Sequence, residues 1–387
     1  MRDPMSLPVV VADQEIPAVS AAFDGVARLR LADGRGMDRS MLVNADALIV
    51  RSVTRVDAAL VAGTALRFVA TATAGTDHVD VDALADAGIA FASAPGANAA
   101  AAAEYTLAGL AALAVRAGRP LAGLRLGIVG CGHVGTALAQ RARALGLVVA
   151  CNDPPRAERE GPSGFVTLDE VAGMDAVCVH TPLTRSGPHA TAGLLGADFI
   201  AALRPGTILC NAGRGGVLDE PALRARLALD DDLHVHLDVW AGEPLIDASL
   251  AHRVGFASPH VAGYSQEGRL RGTERVLDAY ARNFGLRPTW RMADALPPVP
   301  DPIVVGAGGD AAIAAVLGQV AGLRRDTLEL RAGLGGSEAE RRAAFDGLRR
   351  NYPLRREWSA HRLLADTDDQ AAYRRLLAAG FGTPTAS

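Results

Sequence analysis

The 387-residue chain contains no lysine; all 39 of its basic residues are arginine. A skewed base composition of the coding sequence is enough to produce such a bias, but its chemical consequences hold whatever the origin. Schiff bases, a P-loop ammonium and a lysine base are excluded. Anion recognition falls to arginine forks and backbone N–H groups. Aromatic residues are scarce, at 4%. The four cysteines, Cys131, Cys151, Cys178 and Cys210, include no C-x-x-C pair. The last three fall in expected buried strands and read as free thiols of a reducing compartment. No uncharged apolar run is long enough to span a bilayer. The longest, Ala99 to Val115, is mostly alanine and contains Glu104, and it reads as a tightly packed helix capped by Asn98. Met1 to Pro8 lacks the apolar region of a signal peptide. A net charge of 39 − 43 = −4 gives no general drive toward nucleic acid or an anionic membrane. The expectation is a soluble cytoplasmic protein that binds neither.

What is present is 49% hydrophobic residues and 42 glycines, the composition of an Ala/Gly/Val-rich α/β protein with many turns. Apolar runs at Pro8–Ala12, Ala47–Val50, Leu66–Ala70 and Ile89–Ala92 alternate with helical stretches, which predicts βαβ units and a parallel sheet. A second α/β series starts at Leu124–Val129 and runs to about His260. The helix from about Gln266 to Phe284 has no strand to feed there, so we expect it to return to the first domain. Pro297, Pro298, Pro300 and Pro302 mark a linker. Beyond it lies a segment with seven arginines between positions 341 and 362, Arg341, Arg342, Arg349, Arg350, Arg355, Arg356 and Arg362, against two acids, Asp346 and Glu357. The predicted architecture is α/β, with two Rossmann-like parallel-sheet domains and a small α+β C-terminal domain. The boundaries are 6–98 with 264–288, 99–263 and 289–387.

Gly130, Gly132 and Gly135 follow an apolar strand, and His133 and Val134 open a helix. The next strand, Leu147–Cys151, ends at Asp153, 18 residues after Gly135. A lone G-x-G-x-x-G carries little weight, but strand, helix and acid together form the dinucleotide fingerprint. Gly130 makes the tight turn, Gly132 lets backbone approach a pyrophosphate, and Gly135 lets helix and sheet close up. A carboxylate at Asp153 accepts ribose hydroxyl protons and repels a 2′-phosphate, so NAD is expected over NADP. Arg156 is near, and Pro154-Pro155 is expected to turn it away.

Three polar residues each sit just past a short apolar run: Arg214 after Gly206–Ala212, Glu243 after Leu233–Trp240, and His260 after Gly255–Pro259. If the runs are parallel strands, the three side chains emerge at the edge where open α/β sheets bind ligands. Each alone has a plain alternative, namely a surface arginine beside glycines, a loop acid before Pro244, or a structural histidine after Pro259. Together they suit oxidation of a 2-hydroxy acid. His260 serves as the base, Glu243 orients its other ring nitrogen, and Arg214 holds the carboxylate and polarises the C2 oxygen. His234, His236 and Asp238 share one strand face by alternation, which raises a metal site as a possibility. We expect none, since Asp238 suits the nicotinamide end of a cofactor better.

Asn211 to Gly215, Leu237 to Pro244 and Ser258 to His260 resemble the three signatures of the D-isomer-specific 2-hydroxyacid dehydrogenases. That resemblance covers roughly residues 45 to 285 and implies a two-domain, formate-dehydrogenase-like fold with an Arg/Glu/His triad. Val50–Thr54, Thr71–Asp80, Asn152–Arg156, His260–Tyr264, Leu348–Tyr352 and Arg355–Ser359 are similar to a narrower branch, the erythronate-4-phosphate dehydrogenases. This resemblance implies oxidation of 4-phospho-D-erythronate on the way to pyridoxal 5′-phosphate, and a homodimer formed through the C-terminal domain. It implies substrate contacts from Ser52, Thr73 and Tyr264, and NAD contacts from Asp153, Thr181, Ala212, Gly213, Arg214, Asp238 and Gly263. His260 becomes the proton donor. Gly213 departs from the branch, which often has cysteine there. A phosphorylated hydroxy acid needs a second cationic site, and Arg51 beside Ser52 is well placed. We also expect an arginine of the tail cluster to reach a phosphate across the dimer, although a solvated helix face explains the cluster as well. Two other readings stay open, another 2-hydroxyacid dehydrogenase such as one acting on 3-phosphoglycerate, and a dinucleotide-sensing corepressor-like protein.

Overall fold

A computed structural model describes residues 7–366 and 370–383. Residues 1–6 lie outside them, and with them most of the stretch read above for a signal segment. The chain divides into two compact units, Met1–Asn98 with Ser265–Pro298, and Ala99–Tyr264 with Val299–Ser387.

The first unit is built on five parallel strands, β1 Val9–Asp13, β2 Arg28–Ala32, β3 Ala47–Val50, β4 Phe68–Thr71 and β5 Ala90–Ala92, in the order β2-β1-β3-β4-β5. β1, β3 and β4 are buried along their whole length, which is why they read as continuous apolar runs. β2 has no counterpart in the sequence reading. It is an edge strand whose Arg28 and Arg30 are exposed, so its apolar signal is diluted by charge. The Gln266–Phe284 helix belongs to this unit. Ser265 caps its start through Gly268 N–H at 2.9 Å, and Gly285 ends it at φ 68°. Its Val276, Leu277 and Tyr280 share a core with Val10, Phe23 and Ile49.

The second unit carries six parallel strands, β6 Arg125–Val129, β7 Val148–Asn152, β8 Ala176–Val179, β9 Ile208–Asn211, β10 His234–Leu237 and β11 Phe256–Ala257, ordered β11-β10-β9-β8-β6-β7. β6 has β7 on one side and β8 on the other, so the strand order reverses at its end, the usual ligand position in such sheets. The Ala99–Arg116 helix is buried almost all round. Its small residues permit close approach: a Cβ on Gly109 would lie 2.1 Å from His236 Nδ1 of β10. Cys178 and Cys210 are buried as expected, Cys151 is only partly so, and Cys131 is buried as well; all four thiols are free.

Residues 299–387, expected within a separate third domain, form one compact unit with 99–264. Two short parallel strands, β12 Ile303–Val305 and β13 Leu363–Ala365, pair with each other. Ile303, Ile313, Leu317 and Leu363 share a core with Leu107 and Leu110 of the Ala99–Arg116 helix. A helix apolar on all sides must be covered on all sides, and the Asp310–Ala321 helix covers the side that the sheet leaves open.

Glu104 fastens this packing. It is only 3% exposed; Arg141 donates to Oε1 at 3.0 Å and the Trp358 N–H to Oε2 at 3.0 Å. Burial, with some repulsion from Glu357, pushes its carboxyl up to about 7 against the pull of Arg141. An acid whose folded pKa is raised binds its proton more tightly folded than unfolded, so this group's contribution to stability falls as pH rises from about 4.5 to about 7. The full swing is roughly 3 kcal/mol. Thermal melts of wild type and Glu104→Gln at pH 5 and pH 8 check this. The wild type is expected to lose melting temperature relative to the variant at pH 8, and a difference independent of pH contradicts the assignment.

Candidate active site

Arg214, Glu243 and His260 all lie in the second unit, past the carboxyl ends of β9, β10 and β11, three neighbouring strands. The carboxylate of Glu243 meets the imidazole of His260, Oε2 to Nδ1, at 2.8 Å. Burial alone would raise the Glu243 carboxyl. The His260 hydrogen bond and charge, the Trp240 N–H on Oε1 at 2.9 Å and the charge of Arg349 outweigh it, and the group sits below its ordinary range. An ionised carboxylate only accepts, so Nδ1 carries a proton, and in the neutral ring Nε2 is the acceptor. His260 and Glu243 keep side-chain exposures of 30% and 20%, enough for a ligand to reach the ring.

The loop holding Glu243 is clamped from two sides. Trp240 Nε1 donates to the Ser258 carbonyl at 2.9 Å, and the Ala241 N–H donates to Glu220 at 2.6 Å. Gly215 packs against the same loop; a Cβ there would fall 1.9 Å from the Trp240 carbonyl carbon. Arg214 leaves the end of β9 through a short turn in which Asn211 accepts from Gly213 N–H and donates to the Arg214 carbonyl, both at 3.1 Å. A Cβ on Gly213 would lie 3.0 Å from the Thr181 carbonyl oxygen, so glycine at this position tightens the contact between β8 and β9.

Asp238 is bonded into the turn that carries His260. It is 1% exposed, and its carboxylate accepts from Ser258 Oγ at 2.6 Å, Val261 N–H at 2.8 Å and Ala262 N–H at 2.9 Å. Its own carbonyl accepts the His260 N–H at 2.7 Å. His260 sits at φ 59°, a left-handed conformation that costs a residue with a side chain about 1–2 kcal/mol. The hydrogen bonds to Asp238 hold it there. The H-x-H-x-D string is thereby divided, because His236 packs its ring against Tyr105 and Phe256, at 5.4 and 6.0 Å. Among the described residues no group of three or more His, Cys, Asp or Glu side chains could hold a metal.

Dinucleotide-binding geometry is present at the reversal point. Gly130 has φ 90°, and a Cβ on it would lie 2.8 Å from Thr181 N. A Cβ on Gly135 would lie 2.1 Å from the Gly130 carbonyl oxygen, whereas one on Gly132 would meet nothing within 4 Å. The turn is thus closed behind and open in front. His133 opens the His133–Ala144 helix and is exposed, while Val134 is half-buried, so free helix N–H groups face the opening. Beside it, Thr181 Oγ1 is buried with no hydrogen-bond partner. His180 is half-buried as a residue, but both its ring nitrogens are buried and unpartnered, and burial lowers it to about 3. Ala212 and Gly213 follow β9 next to these groups, and Gly263 is half-buried in the turn after His260. These residues fit a dinucleotide. Asp153 accepts from Cys131 N–H at 2.8 Å and Arg156 N–H at 3.0 Å. Arg156 is not turned away. Its guanidinium donates to the Cys131 carbonyl at 2.5 Å and pairs with Glu160 at 2.7 Å, because Pro154-Pro155 start a helix that Asp153 caps.

The remaining expected substrate residues fall in both units. Tyr264 is in the second, its ring edge-on to Tyr352 at 5.8 Å with the Arg349 guanidinium 5.9 Å from its centre. Arg51, Ser52 and Thr73 are in the first, beyond β3 and β4. Ser52 is exposed. Thr73 Oγ1 bonds Thr71 Oγ1 at 2.7 Å and the Gly75 carbonyl at 2.8 Å. Arg51 is already engaged, donating to both oxygens of buried Asp13 at 2.9 and 3.1 Å, so two of the donors expected to meet a phosphate are taken. Arg355 was indistinguishable from its neighbours in the arginine cluster. It turns inward and donates to the carbonyls of Ala101, Val261, Ala262 and Tyr264, fixing the turn after His260 to the Ala99–Arg116 helix.

Comparison with known proteins agrees with this arrangement. Residues 98–262 match the family model for the D-isomer specific 2-hydroxyacid dehydrogenase NAD binding domain, and residues 305–380 match a domain of unknown function. An erythronate-4-phosphate dehydrogenase of Stutzerimonas stutzeri is 46% identical over 90% of this chain and 92% of its own. One from Pseudomonas aeruginosa is 45% identical over 96% and 98%. Among solved structures, a putative D-isomer specific 2-hydroxyacid dehydrogenase from Polaromonas is 25% identical, with a TM-score of 0.60 over 73% of this chain and 99% of its own. The fold is shared with an NAD+-bound 3-phosphoglycerate dehydrogenase of Entamoeba histolytica, 23% identical, with a TM-score of 0.63 over 72% and 96%. The strand-end triad, the glycine cradle and these relatives lead to one assignment: the chain belongs to the D-isomer-specific 2-hydroxyacid dehydrogenases, within the erythronate-4-phosphate dehydrogenase family, and is a dehydrogenase with an NAD-binding domain.

Proposed function

We propose that the chain oxidises 4-phospho-D-erythronate at C2 to (R)-3-hydroxy-2-oxo-4-phosphobutanoate with NAD, in the supply of pyridoxal 5′-phosphate. The observation that carries the chemistry is the 2.8 Å bond between Glu243 and His260. The names of relatives above 40% identity over nearly the whole chain support the substrate. The same resemblance supports a cytoplasmic homodimer.

NAD, when bound, would supply the acceptor for the C2 hydride. Gly130 to Gly135, Asp153, Thr181, Ala212 and Gly213 would hold it. His260 Nε2 accepts the C2 hydroxyl proton. Glu243 keeps the proton of Nδ1 in place and stabilises the imidazolium that forms. Arg214 grips the substrate carboxylate and stabilises negative charge on the C2 oxygen. Asp238 acts through the turn that carries His260. Tyr264, Ser52 and Thr73 are assigned to substrate.

His260→Ala is expected to lower kcat with 4-phosphoerythronate by roughly 10²–10⁴-fold while NAD still binds, as read by nucleotide fluorescence. Loss of NAD binding in step with activity argues against a role as base. Glu243→Gln keeps the shape but offers His260 an amide that fixes neither the tautomer nor the charge. It is expected to lower kcat more than it raises KM, and a pure KM effect would remove Glu243 from proton transfer. An assay across several 2-hydroxy acids tests the substrate. A preference for an unphosphorylated acid, or no turnover at all, overturns the proposal.

A further inference from the structure

A substrate with a carboxylate at one end and a phosphate at the other needs two cationic grips, and in a chain without lysine both fall to arginine or to backbone. Arg214 serves the carboxylate. Arg51 is forked onto Asp13, and Arg355 is spent on four carbonyls. Arg349 is placed otherwise. It lies in the last turn of the Glu338–Arg350 helix, with its guanidinium 5.9 Å from the ring centre of Tyr264. Its Nε is buried and has no hydrogen-bond partner. Its charge is felt by the Glu243 carboxylate, so it sits within electrostatic reach of the triad. A dehydrated guanidinium N–H facing no acceptor is unfavourable until an acceptor arrives.

We propose that Arg349 binds the second anionic group of the substrate, a phosphate, and thereby sets the preference for a phosphorylated hydroxy acid over its unphosphorylated counterpart. The proposal rests on the reading given under Proposed function. The Tyr264 ring supports the guanidinium from one side and fixes the direction of its fork, and the edge-on Tyr352 in turn fixes the Tyr264 ring. The contact forms within one chain, whereas the arginine cluster read from the sequence was expected to act across a dimer. Arg341 lies eight positions earlier on the same helix and also has a buried, unpartnered Nε. Its surroundings, however, are Pro244, Ile246, Leu330 and Leu334, an apolar bed with no site residue.

The test compares wild type, Arg349→Gln, Arg349→Lys and Arg341→Gln on 4-phosphoerythronate and on erythronate, with inorganic phosphate as a competing inhibitor. The ratio of kcat/KM for the phosphorylated over the unphosphorylated acid is expected to fall roughly 10- to 100-fold in Arg349→Gln, the effect of losing a charge-assisted hydrogen bond. Inhibition by inorganic phosphate should weaken alongside it. Arg349→Lys should recover part of the ratio, since it restores charge without the fork, and it serves as the decisive variant if Arg349→Gln does not fold. Arg341→Gln should hold the ratio within about twofold of wild type, well short of the loss expected for one charged hydrogen bond. A parallel loss on both acids with the ratio intact makes Arg349 a positioning residue and overturns the proposal, as does an equal change in ratio from Arg341→Gln. A wild type that ignores 4-phosphoerythronate but oxidises another hydroxy acid refutes the substrate reading instead. Competition by inorganic phosphate against that acid then still decides whether Arg349 binds an anion.

Discussion

One buried carboxylate sets the geometry on which the site depends. Asp238 takes three hydrogen bonds from the turn that follows β11, and its backbone carbonyl takes a fourth, from His260 itself. A histidine at φ 59° does not persist without such support. With it, the imidazole is aimed so that Nδ1 meets Glu243 and Nε2 stays open. A carboxylate with almost no exposed surface is stable only when its lone pairs are filled, so the same bonds that hold the turn also justify the burial of the charge.

The surroundings brace this unit from outside. Trp240 and Glu220 hold the loop that carries Glu243. Arg355 collects carbonyls from the turn beyond His260 and from the Ala99–Arg116 helix, and its guanidinium lies over the Tyr105 ring. Asp326 accepts from both Tyr105 and Tyr352, so the C-terminal segment is tied into the packing behind the triad. About a quarter of this chain lies outside the match to the solved dehydrogenases. The arginines and tyrosines of residues 299–387 thus reach the turn after His260 from a segment with its own family model.

Much of the fold was legible from sequence because parallel strands buried on both faces appear as short continuous apolar runs, each followed by its polar residue. That pattern located β1, β3, β4, β6, β9, β10 and β11, and placed Arg214, Glu243 and His260 at one edge; β5 and β7 also showed as apolar runs although they are only partly buried. β2 escaped because an edge strand alternates with arginine. The C-terminal segment was legible as helices and strands but not as part of the second unit, since a helix pattern states which face is apolar and not what covers it.

The sequence by itself determined the reaction class. The glycine spacing at Gly130 to Gly135, the acid at Asp153 and three strand-end polar residues are local signals, each set by a few adjacent positions. Tertiary structure decided which side chains were already committed. Asp238 is filled by Ser258, Val261 and Ala262, Arg51 by Asp13, and Arg355 by four carbonyls, while Arg349 comes to rest on Tyr264. The reason is that a hydrogen bond belongs to two groups at once. Sequence names the donor and the acceptor, but only the folded chain brings partners from distant positions to within 3 Å or so of each other.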